Sequence, residues 1–181
     1  SNETIIRRVT GKFFGELKLA KGLKFNADVL YDLYSQTQDN WYGANYPFIA
    51  TDGEVFAAAV NNESHTLSNY FTYDKTFGEA HNLNVVAGHE FTSFSSRYQD
   101  VTSIYFPSDN FQTIDGGAEI INGSGSETDY AFDSFFARAS YSYNNKYLFK
   151  ASIRRDGSSR FGENKRYGIF PAVSAGWVIS E

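Results

Sequence analysis

The chain has 181 residues, a formal net charge of −5 and no cysteine. The lack of cysteine excludes disulfides and thiolate metal sites, and the negative charge argues against a nucleic-acid-binding surface. Aromatic residues make up 18% of the chain, with only 3 Pro, a composition that favours strands over helices. No segment is apolar enough to predict a transmembrane helix, while the mean hydropathy of −0.42 suggests by itself a soluble protein.

The first half of the chain predicts four strands by its period-two alternation. The first strand covers roughly 10–20, and a turn at Lys21-Gly22 joins it to a second strand at 23–34. The second strand has the cleanest alternation, with one face made of Leu23, Phe25, Ala27, Val29, Tyr31 and Leu33. A long segment, 35–64, precedes a third strand at 65–77. A short turn at 78–81 leads to a fourth strand at 82–97.

The second half predicts three more strands after a second long segment at 98–129. The fifth strand runs to Tyr143, Asn144-Asn145 form a tight turn, and the sixth strand runs from Tyr147 to about Arg155. A loop at 156–169 leads to a seventh strand at 170–179. Short and long connections therefore alternate. This rhythm predicts an all-β fold, an antiparallel up-and-down meander of about seven strands, in a partial or small barrel with long loops on one rim.

The last three strands have faces that can be assigned from the sequence. Apolar and aromatic residues occupy one face: Phe135, Ala137, Ala139, Tyr141, Tyr143, Tyr147, Phe149, Ala151, Ile153, Val173, Ala175, Trp177 and Ile179. Polar residues such as Ser140, Lys150 and Arg154 occupy the other. One face toward lipid and one toward water is the pattern of a membrane-spanning barrel strand, with an aromatic girdle expected near the short turns. In the third and fourth strands, Tyr70, His89 and Glu90 obscure the assignment.

The C-terminal third also contains a sequence motif that resembles that of a known family. The string runs Arg155-Asp156-Gly157-Ser158-Ser159-Arg160-Phe161-Gly162, then Arg166-Tyr167-Gly168, Phe170-Pro171, Ser174-Ala175-Gly176-Trp177 and Ile179-Ser180-Glu181. It is similar to the C-terminal barrel segment of SusC/RagA-type TonB-dependent outer-membrane transporters. Weaker matches at 21–25, 72–77 and 81–83 follow in the right order.

This resemblance implies the function and the partners of the parent protein. A SusC/RagA-type transporter would import oligosaccharides or peptides across the cell outer membrane, in contact with its lipid, with a SusD-like surface lipoprotein and with energy from TonB. We expect residues 1-2 to be a tag remnant and 3-181 to form one barrel-segment domain, with the plug domain and the remaining barrel strands absent. Such a segment would be inactive in transport by itself. Its open edges predict a closed or nearly closed small barrel, or self-association.

Two groups of residues are candidate sites. In the first long segment, Trp41, Tyr42, Tyr46 and Phe48 are candidates for contact with a sugar or peptide ligand in an external loop, and the alternative is that they pack the loop onto its neighbours. Residues Asp156, Gly157, Ser158, Ser159, Arg160 and Phe161 predict a structural loop closed by Asp156 and Arg160. An anion-binding turn is the other interpretation of that motif.

Neither metal nor enzymatic chemistry is predicted. The three histidines His65, His81 and His89 lack metal-ligand spacing, and no nucleophile or metalloprotease motif is present. We therefore expect no cofactor and no catalytic residue.

The alternative class is a soluble β-sandwich or small-barrel module that binds a glycan or a protein. The two classes differ in one observable property. A soluble domain must bury rings such as Phe135, Tyr141, Phe149 and Trp177, whereas a barrel wall leaves them without protein cover.

Overall fold

The computed structural model describes residues 2–45, 52–162 and 165–179. These residues form seven strands and one 3₁₀ turn at Ile114–Gly116. The strands are β1 (Asn2–Ala20), β2 (Leu23–Tyr42), β3 (Glu54–Phe77), β4 (His81–Ile104), β5 (Glu119–Tyr143), β6 (Tyr147–Ser158) and β7 (Tyr167–Trp177). They lie in one sheet in sequence order, which confirms the predicted antiparallel meander.

The short turns lie where the sequence predicts them. Gly22 has a φ of 80° and Gly78 a φ of 59°, a backbone conformation that glycine adopts without steric penalty. Asn144 and Asn145 have φ values of 50° and 54°, the pair of positive angles that a tight hairpin turn requires. Asparagine tolerates this conformation better than most residues, so Asn144-Asn145 ends β5 and starts the return to β6.

The strands are longer than the sequence predicts, and the expectation of loops over all of 35–64 and 98–129 is wrong. β2 continues to Tyr42 and β3 begins at Glu54, while β4 continues to Ile104 and β5 begins at Glu119. In these extensions the one-sided alternation disappears although the backbone stays paired, because 36–40 and 61–64 are polar on both faces and 55–60 is apolar on both. Side-chain hydrogen bonds cross there between strands, as where Ser96 Oγ donates to Asn62 Oδ1 at 2.7 Å.

The last connection is also shorter than predicted. β6 continues to Ser158 and β7 begins at Tyr167, so the loop covers 159–166 instead of 156–169. β7 ends at Trp177, two residues before the predicted end. Residues 180 and 181, which close the motif that resembles the transporter family, lie outside the described residues.

Residue parity defines the two faces of the sheet. Phe135 lies opposite Arg155, Tyr143 opposite Tyr147, and Tyr147 opposite Trp177. The side-chain contacts of the other strands keep the same parity, since even-numbered residues contact even-numbered ones and odd-numbered residues contact odd-numbered ones. Examples are Thr66 with Thr92, Ser68 with Glu90, Phe25 with Phe71, and His89 with Phe135. We call the two surfaces the even face and the odd face.

The described residues bury very few hydrophobic side chains. Val55, Ile104 and Phe106 are the buried ones, whereas Phe149 is 51% exposed and Trp177 is 59% exposed. The rings of the odd face therefore have no protein cover within the described residues. This observation contradicts the soluble-module alternative, which requires those rings to be inside.

The sheet has two edges, β1 and β7. The described residues therefore form a partial barrel, one of the two forms predicted, and not a fully closed one. Closure would need β1 to pair with β7, and the sheet order ends at each of them instead. Self-association through these edges stays a prediction.

The chain divides into two compact units, each of which takes residues from several strands. The first unit comprises the described residues within 1–10, 32–64 and 94–129. It contains the polar strand extensions and the small core of Val55, Ile104 and Phe106. The second unit comprises the described residues within 11–31, 65–93 and 130–181, and it carries the apolar odd face.

Candidate functional site

A row of aromatic rings lies on the odd face of the second unit, beside the short turns. Tyr143 and Tyr147 are stacked with ring centroids 6.3 Å apart, and Tyr147 stacks on Trp177 at 6.3 Å with an interplanar angle of 9°. The imidazole of His81 continues the row to β4, with its centroid 4.8 Å from that of Tyr143. Tyr141 lies next to the row, and its hydroxyl is hydrogen-bonded to His81 Nδ1 at 2.6 Å. The predicted clustering of these rings near the short turns is confirmed.

The middle of the odd face is apolar. Ala137 lies opposite Ile153, Ala139 lies opposite Ala151, and Ala151 lies opposite Val173. Val173 is 85% exposed and Ile153 is 51% exposed. A surface of this kind is stable only in contact with another apolar phase.

A polar cluster marks the far end of the odd face. His89 Nε2 and Asp133 Oδ1 share a hydrogen bond of 2.5 Å, and the Tyr167 hydroxyl donates to Asp133 Oδ2 at 3.2 Å. The His89 ring also packs on Phe135, with centroids 4.6 Å apart. The sequence alone does not place this cluster, although Asp133 directly precedes the apolar odd series that begins at Phe135. The contacts remove the ambiguity of the fourth strand, because His89 belongs to the odd face and has a partner there.

Gly157 allows that cluster to form. It lies between Asp133 on β5 and Tyr167 on β7 in the pairing register. A Cβ on Gly157 would be only 2.4 Å from Tyr167 Cε1. The ring of Tyr167 therefore lies across the bare backbone of β6, and its hydroxyl reaches the carboxylate two strands away.

The even face of the second unit carries a network of charged and polar groups. Arg154 Nη2 donates to Glu90 Oε1 at 3.1 Å, and Arg154 Nε donates to Asp156 Oδ1 at 2.6 Å. Ser68 Oγ donates to the other oxygen of Glu90 at 3.1 Å. The guanidinium of Arg154 lies 5.9 Å from the ring centroid of Phe136. Charges that are paired in this way are compatible with a water-filled space beside the sheet.

The same face has further ion pairs on β1 and β2. Lys12 Nζ is 3.3 Å from Asp28 Oδ2, and Lys24 Nζ is 3.0 Å from Glu16 Oε2. Tyr70, which the sequence could not place, also lies on the even face, with its ring centroid 6.5 Å from that of Phe136. The even face is therefore polar along the strands of the second unit, with isolated rings among its charges.

In the first unit, Trp41 packs within the loops. Its ring makes an edge contact with Phe106 at a centroid distance of 4.9 Å, and its Cη2 is 2.8 Å from where a Cβ on Gly53 would lie. The Phe106 amide donates to the Asp52 carbonyl at 2.7 Å, which joins the two loops. These contacts favour the packing interpretation for Trp41. Tyr42 ends β2 and is half-buried, whereas Tyr46 and Phe48 lie outside the described residues.

The predicted loop motif is divided between a strand and a turn. Asp156, Gly157 and Ser158 are the last residues of β6, and Ser159, Arg160 and Phe161 follow in the turn. Asp156 pairs with Arg154, and Arg160 lies over the Tyr130 ring, with its Cζ 4.1 Å from the centroid. The Asp156–Arg160 closure is thus replaced by these two contacts. Ser159 instead ties the turn to β5, since its Oγ accepts from the Ala131 amide at 2.8 Å.

Three groups of the first unit have shifted pKa values, and the hydrogen bond with Asp32 raises the pKa of Arg8. Hydrogen bonds from Arg8 and from Thr10 lower the pKa of Asp32 below its ordinary value, and Arg8 Nε lies 3.0 Å from Asp32 Oδ1. Desolvation, followed by the charge of Asp100, raises the pKa of Tyr98. The carboxylate of Asp100 is itself held by Asn122, whose Nδ2 donates at 2.6 Å, and by Ser124. Through these contacts Asp32 links β2 to β1, and Asp100 links β4 to β5.

The described residues show neither of two other kinds of site. In 2–45, 52–162 and 165–179, no helix has the length and apolar character needed to cross a membrane. The same ranges contain no group of three His, Asp or Glu side chains that could hold a metal ion.

An antiparallel meander with an exposed apolar face, a polar ion-paired face and an aromatic row beside its short turns is a wall segment of a transmembrane β-barrel. The comparisons with known proteins give the particular family. TonB-dependent receptor P39 of Formosa agariphila is 37% identical over 169 residues, which is 91% of the chain and 16% of that receptor. TonB-dependent receptor SusC of Bacteroides thetaiotaomicron is 50% identical over 48 residues, or 26% of the chain and 5% of SusC.

Solved structures agree with these relatives. A structure of the RagAB peptide transporter matches with a TM-score of 0.90 and 25% identity over 97% of the chain and 20% of that structure's chain. No protein-family model matches the chain. The chain belongs to the SusC/RagA-type TonB-dependent receptors and corresponds to part of their barrel. It spans about a sixth of the length of receptor P39.

The Gly157–Tyr167 contact makes a prediction for the stability of the receptor. Gly157→Ala should move the Tyr167 ring away from Asp133 and lower the free energy of unfolding by about 1 kcal/mol, the usual contribution of one hydrogen bond. Tyr167→Phe should have a similar effect, and the double variant should be no less stable than either single variant, because both remove one interaction. Urea unfolding in detergent micelles measures this. Additive losses would show that the two residues act independently.

Proposed function

We propose that this chain forms part of the barrel wall of a transporter in the outer membrane, with its odd face toward lipid and its even face toward the lumen. The parent protein imports oligosaccharides or peptides, together with a SusD-like surface lipoprotein and with energy supplied through TonB. The chain has a structural role in this process, without catalysis. The relatives named as TonB-dependent receptors support the proposal, as does the fold shared with a peptide transporter.

The single observation that carries the proposal is the exposed, apolar odd face between two polar or aromatic boundaries. Ten residues of β5 separate Tyr143, in the aromatic row, from Asp133, in the polar cluster. This is about 33 Å along a strand, or about 25 Å along the barrel axis at a strand tilt of about 40°. The apolar band of outer-membrane barrels has about this height.

The two units differ in the character of their odd-numbered residues, which supports the same placement. In the second unit the odd positions of β2 are Leu23, Phe25, Ala27, Val29 and Tyr31. In the first unit, odd positions of β4 and β5 carry charges, and Arg97 Nη2 lies 3.0 Å from Glu127 Oε1. We assign the second unit to the membrane and the first unit to the external medium, where its connection 105–118 meets ligand or the lipoprotein.

Accessibility measurements on the complete receptor test the orientation of the faces. Single cysteines at Ala137, Ala139 and Ala151 should, once spin-labelled in lipid vesicles, be accessible to oxygen and protected from a water-soluble nickel complex. Cysteines at Ser140, Ser152 and Ser174 provide the matched set, and they should show the opposite preference. Equal accessibility of both sets, or the reverse order, would contradict the proposal.

A further inference from the structure

Arg155 is a cation in an unusual position, on the odd face and among apolar neighbours. It lies opposite Phe135 on β5 and opposite Ile169 on β7. Phe135 is 47% exposed and Ile169 is 62% exposed, so both apolar neighbours of Arg155 are largely uncovered by protein. Within the described residues no carboxylate forms an ion pair with Arg155, whereas Arg154 on the even face has two such partners.

A fixed aromatic platform holds the Arg155 side chain. Its Cζ lies 3.9 Å from the ring centroid of Tyr167. That ring is itself oriented, because its hydroxyl donates to Asp133 at 3.2 Å and its edge lies over Gly157. Both carboxylate oxygens of Asp133 are engaged, one by the Tyr167 hydroxyl and one by His89 Nε2. The guanidinium is thus stacked on one flat surface, with its N–H donors free to point along the face of the sheet.

From this arrangement we propose that Arg155 binds the phosphate of a membrane lipid headgroup at the boundary of the apolar band. The proposal rests on the proposed function, because it requires the odd face to contact lipid. The Tyr167 platform lies at the level of Asp133, which is one band height from the aromatic row. Lipid headgroups begin at this level.

The chemistry of the position favours a lipid phosphate over other anions. A guanidinium offers two parallel N–H donors to a phosphate, a geometry that lysine cannot reproduce. Phe135, Ile153 and Ile169 provide apolar surface for the acyl chains of the same molecule. A free phosphate would gain only the first of these interactions, and an acidic protein partner would have to reach into the lipid boundary.

Native mass spectrometry of the complete receptor in detergent tests the proposal, with dioleoylphosphatidic acid as the probe. Arg155→Gln should weaken binding of this lipid by about tenfold, the factor expected from loss of a charge-assisted hydrogen-bonded pair. Arg155→Lys should recover part of the affinity. Arg97→Gln is the matched control, since Arg97 is also an odd-numbered, exposed arginine but has Glu127 as its partner. It should leave lipid binding unchanged.

Further measurements distinguish a lipid site from a site for a soluble anion, and both from a wrong orientation of the two faces. Dioleoylglycerol, which has the same acyl chains but no phosphate, should bind equally to the wild type and to Arg155→Gln, and inorganic phosphate should not displace the phosphatidic acid. Equal binding of phosphatidic acid to the wild type and to Arg155→Gln would overturn the proposal, and displacement by inorganic phosphate would reassign the position to a soluble anion. The spin-label accessibilities test the orientation of the faces independently, so a failure of the lipid site alone leaves the barrel-wall assignment intact.

Discussion

Replacing Ala139 by arginine in the complete receptor is expected to lower the stability of the barrel by about 2–4 kcal/mol, the range for an arginine at the bilayer midplane. Ala139 lies on the odd face and pairs with Ala151. It is near the middle of the apolar band, between Tyr143 in the aromatic row and Asp133 in the polar cluster. From this depth even a long side chain reaches water poorly.

The control for this substitution is the neighbouring residue of opposite parity. Ser140→Arg places the same charge at nearly the same height but on the even face, opposite Lys150. We expect a loss of no more than about 1 kcal/mol, most of it from repulsion between the new arginine and Lys150. Guanidinium unfolding in lipid vesicles, followed by tryptophan fluorescence, measures both variants. If Ser140→Arg proved as damaging as Ala139→Arg, the even face could not be the one that lines water.

The second large effect is expected for Gly88→Ala in the interior of β4. A Cβ at this position would be 2.5 Å from the Asn69 carbonyl oxygen and 2.8 Å from Tyr70 Cα. Both are backbone atoms of β3, so no rotamer change relieves the contact, and the two strands must separate. We expect a loss at or above the upper end of the 1–3 kcal/mol that is typical of overpacking. The measurement is the fraction of receptor that is folded, by heat-modified mobility in gels.

Gly15→Ala on β1 provides the matched control for Gly88→Ala. A Cβ on Gly15 would meet no atom within 4 Å. The substitution removes conformational freedom from the unfolded chain at no steric cost, so stability should be unchanged or slightly higher. Comparable losses for both variants would mean that glycine is needed for strand flexibility, and not for the close approach of β3 and β4.

The sequence predicts the faces of β5, β6 and β7 well, for a physical reason. In this stretch, apolar Ala137, Ala139 and Tyr141 alternate with Arg138 and Ser140. Residues that prefer lipid and residues that prefer water occupy successive positions, so the alternation is strong and depends only on near neighbours in sequence. Asn144-Asn145 adds a turn whose backbone angles are also a local property.

The strand extensions could not be predicted in the same way. Gln36, Asp39, Asn62 and Asp100 lie in strand segments that lack a one-sided apolar pattern. Backbone pairing with a neighbour keeps them extended, as the Ser96–Asn62 hydrogen bond illustrates. An alternation of apolar and polar residues indicates that one face of a strand contacts an apolar environment. It does not indicate that the strand is paired, so the alternation ends where the apolar face ends although the strand continues.

Long-range partners account for the remaining differences. Trp41 packs on Phe106, and Tyr167 reaches Asp133, with no local sequence signal for either contact. His89 reads as a polar interruption in its strand, yet its bond to Asp133 gives it a place on the odd face. Tyr70 is similar, since its neighbour Phe136 lies on the same even face. These assignments depend on register between distant segments, which composition and spacing do not specify.

The constant parity of the sheet restricts how genes of this kind can change in length. One codon gained or lost inside a strand moves every later side chain of that strand to the opposite face. Its apolar residues then face water, and its charged residues face lipid. Changes by two codons preserve the alternation, whereas the connections between strands carry no such constraint. Natural variation in length should therefore be even-numbered within strands and unrestricted in the loops.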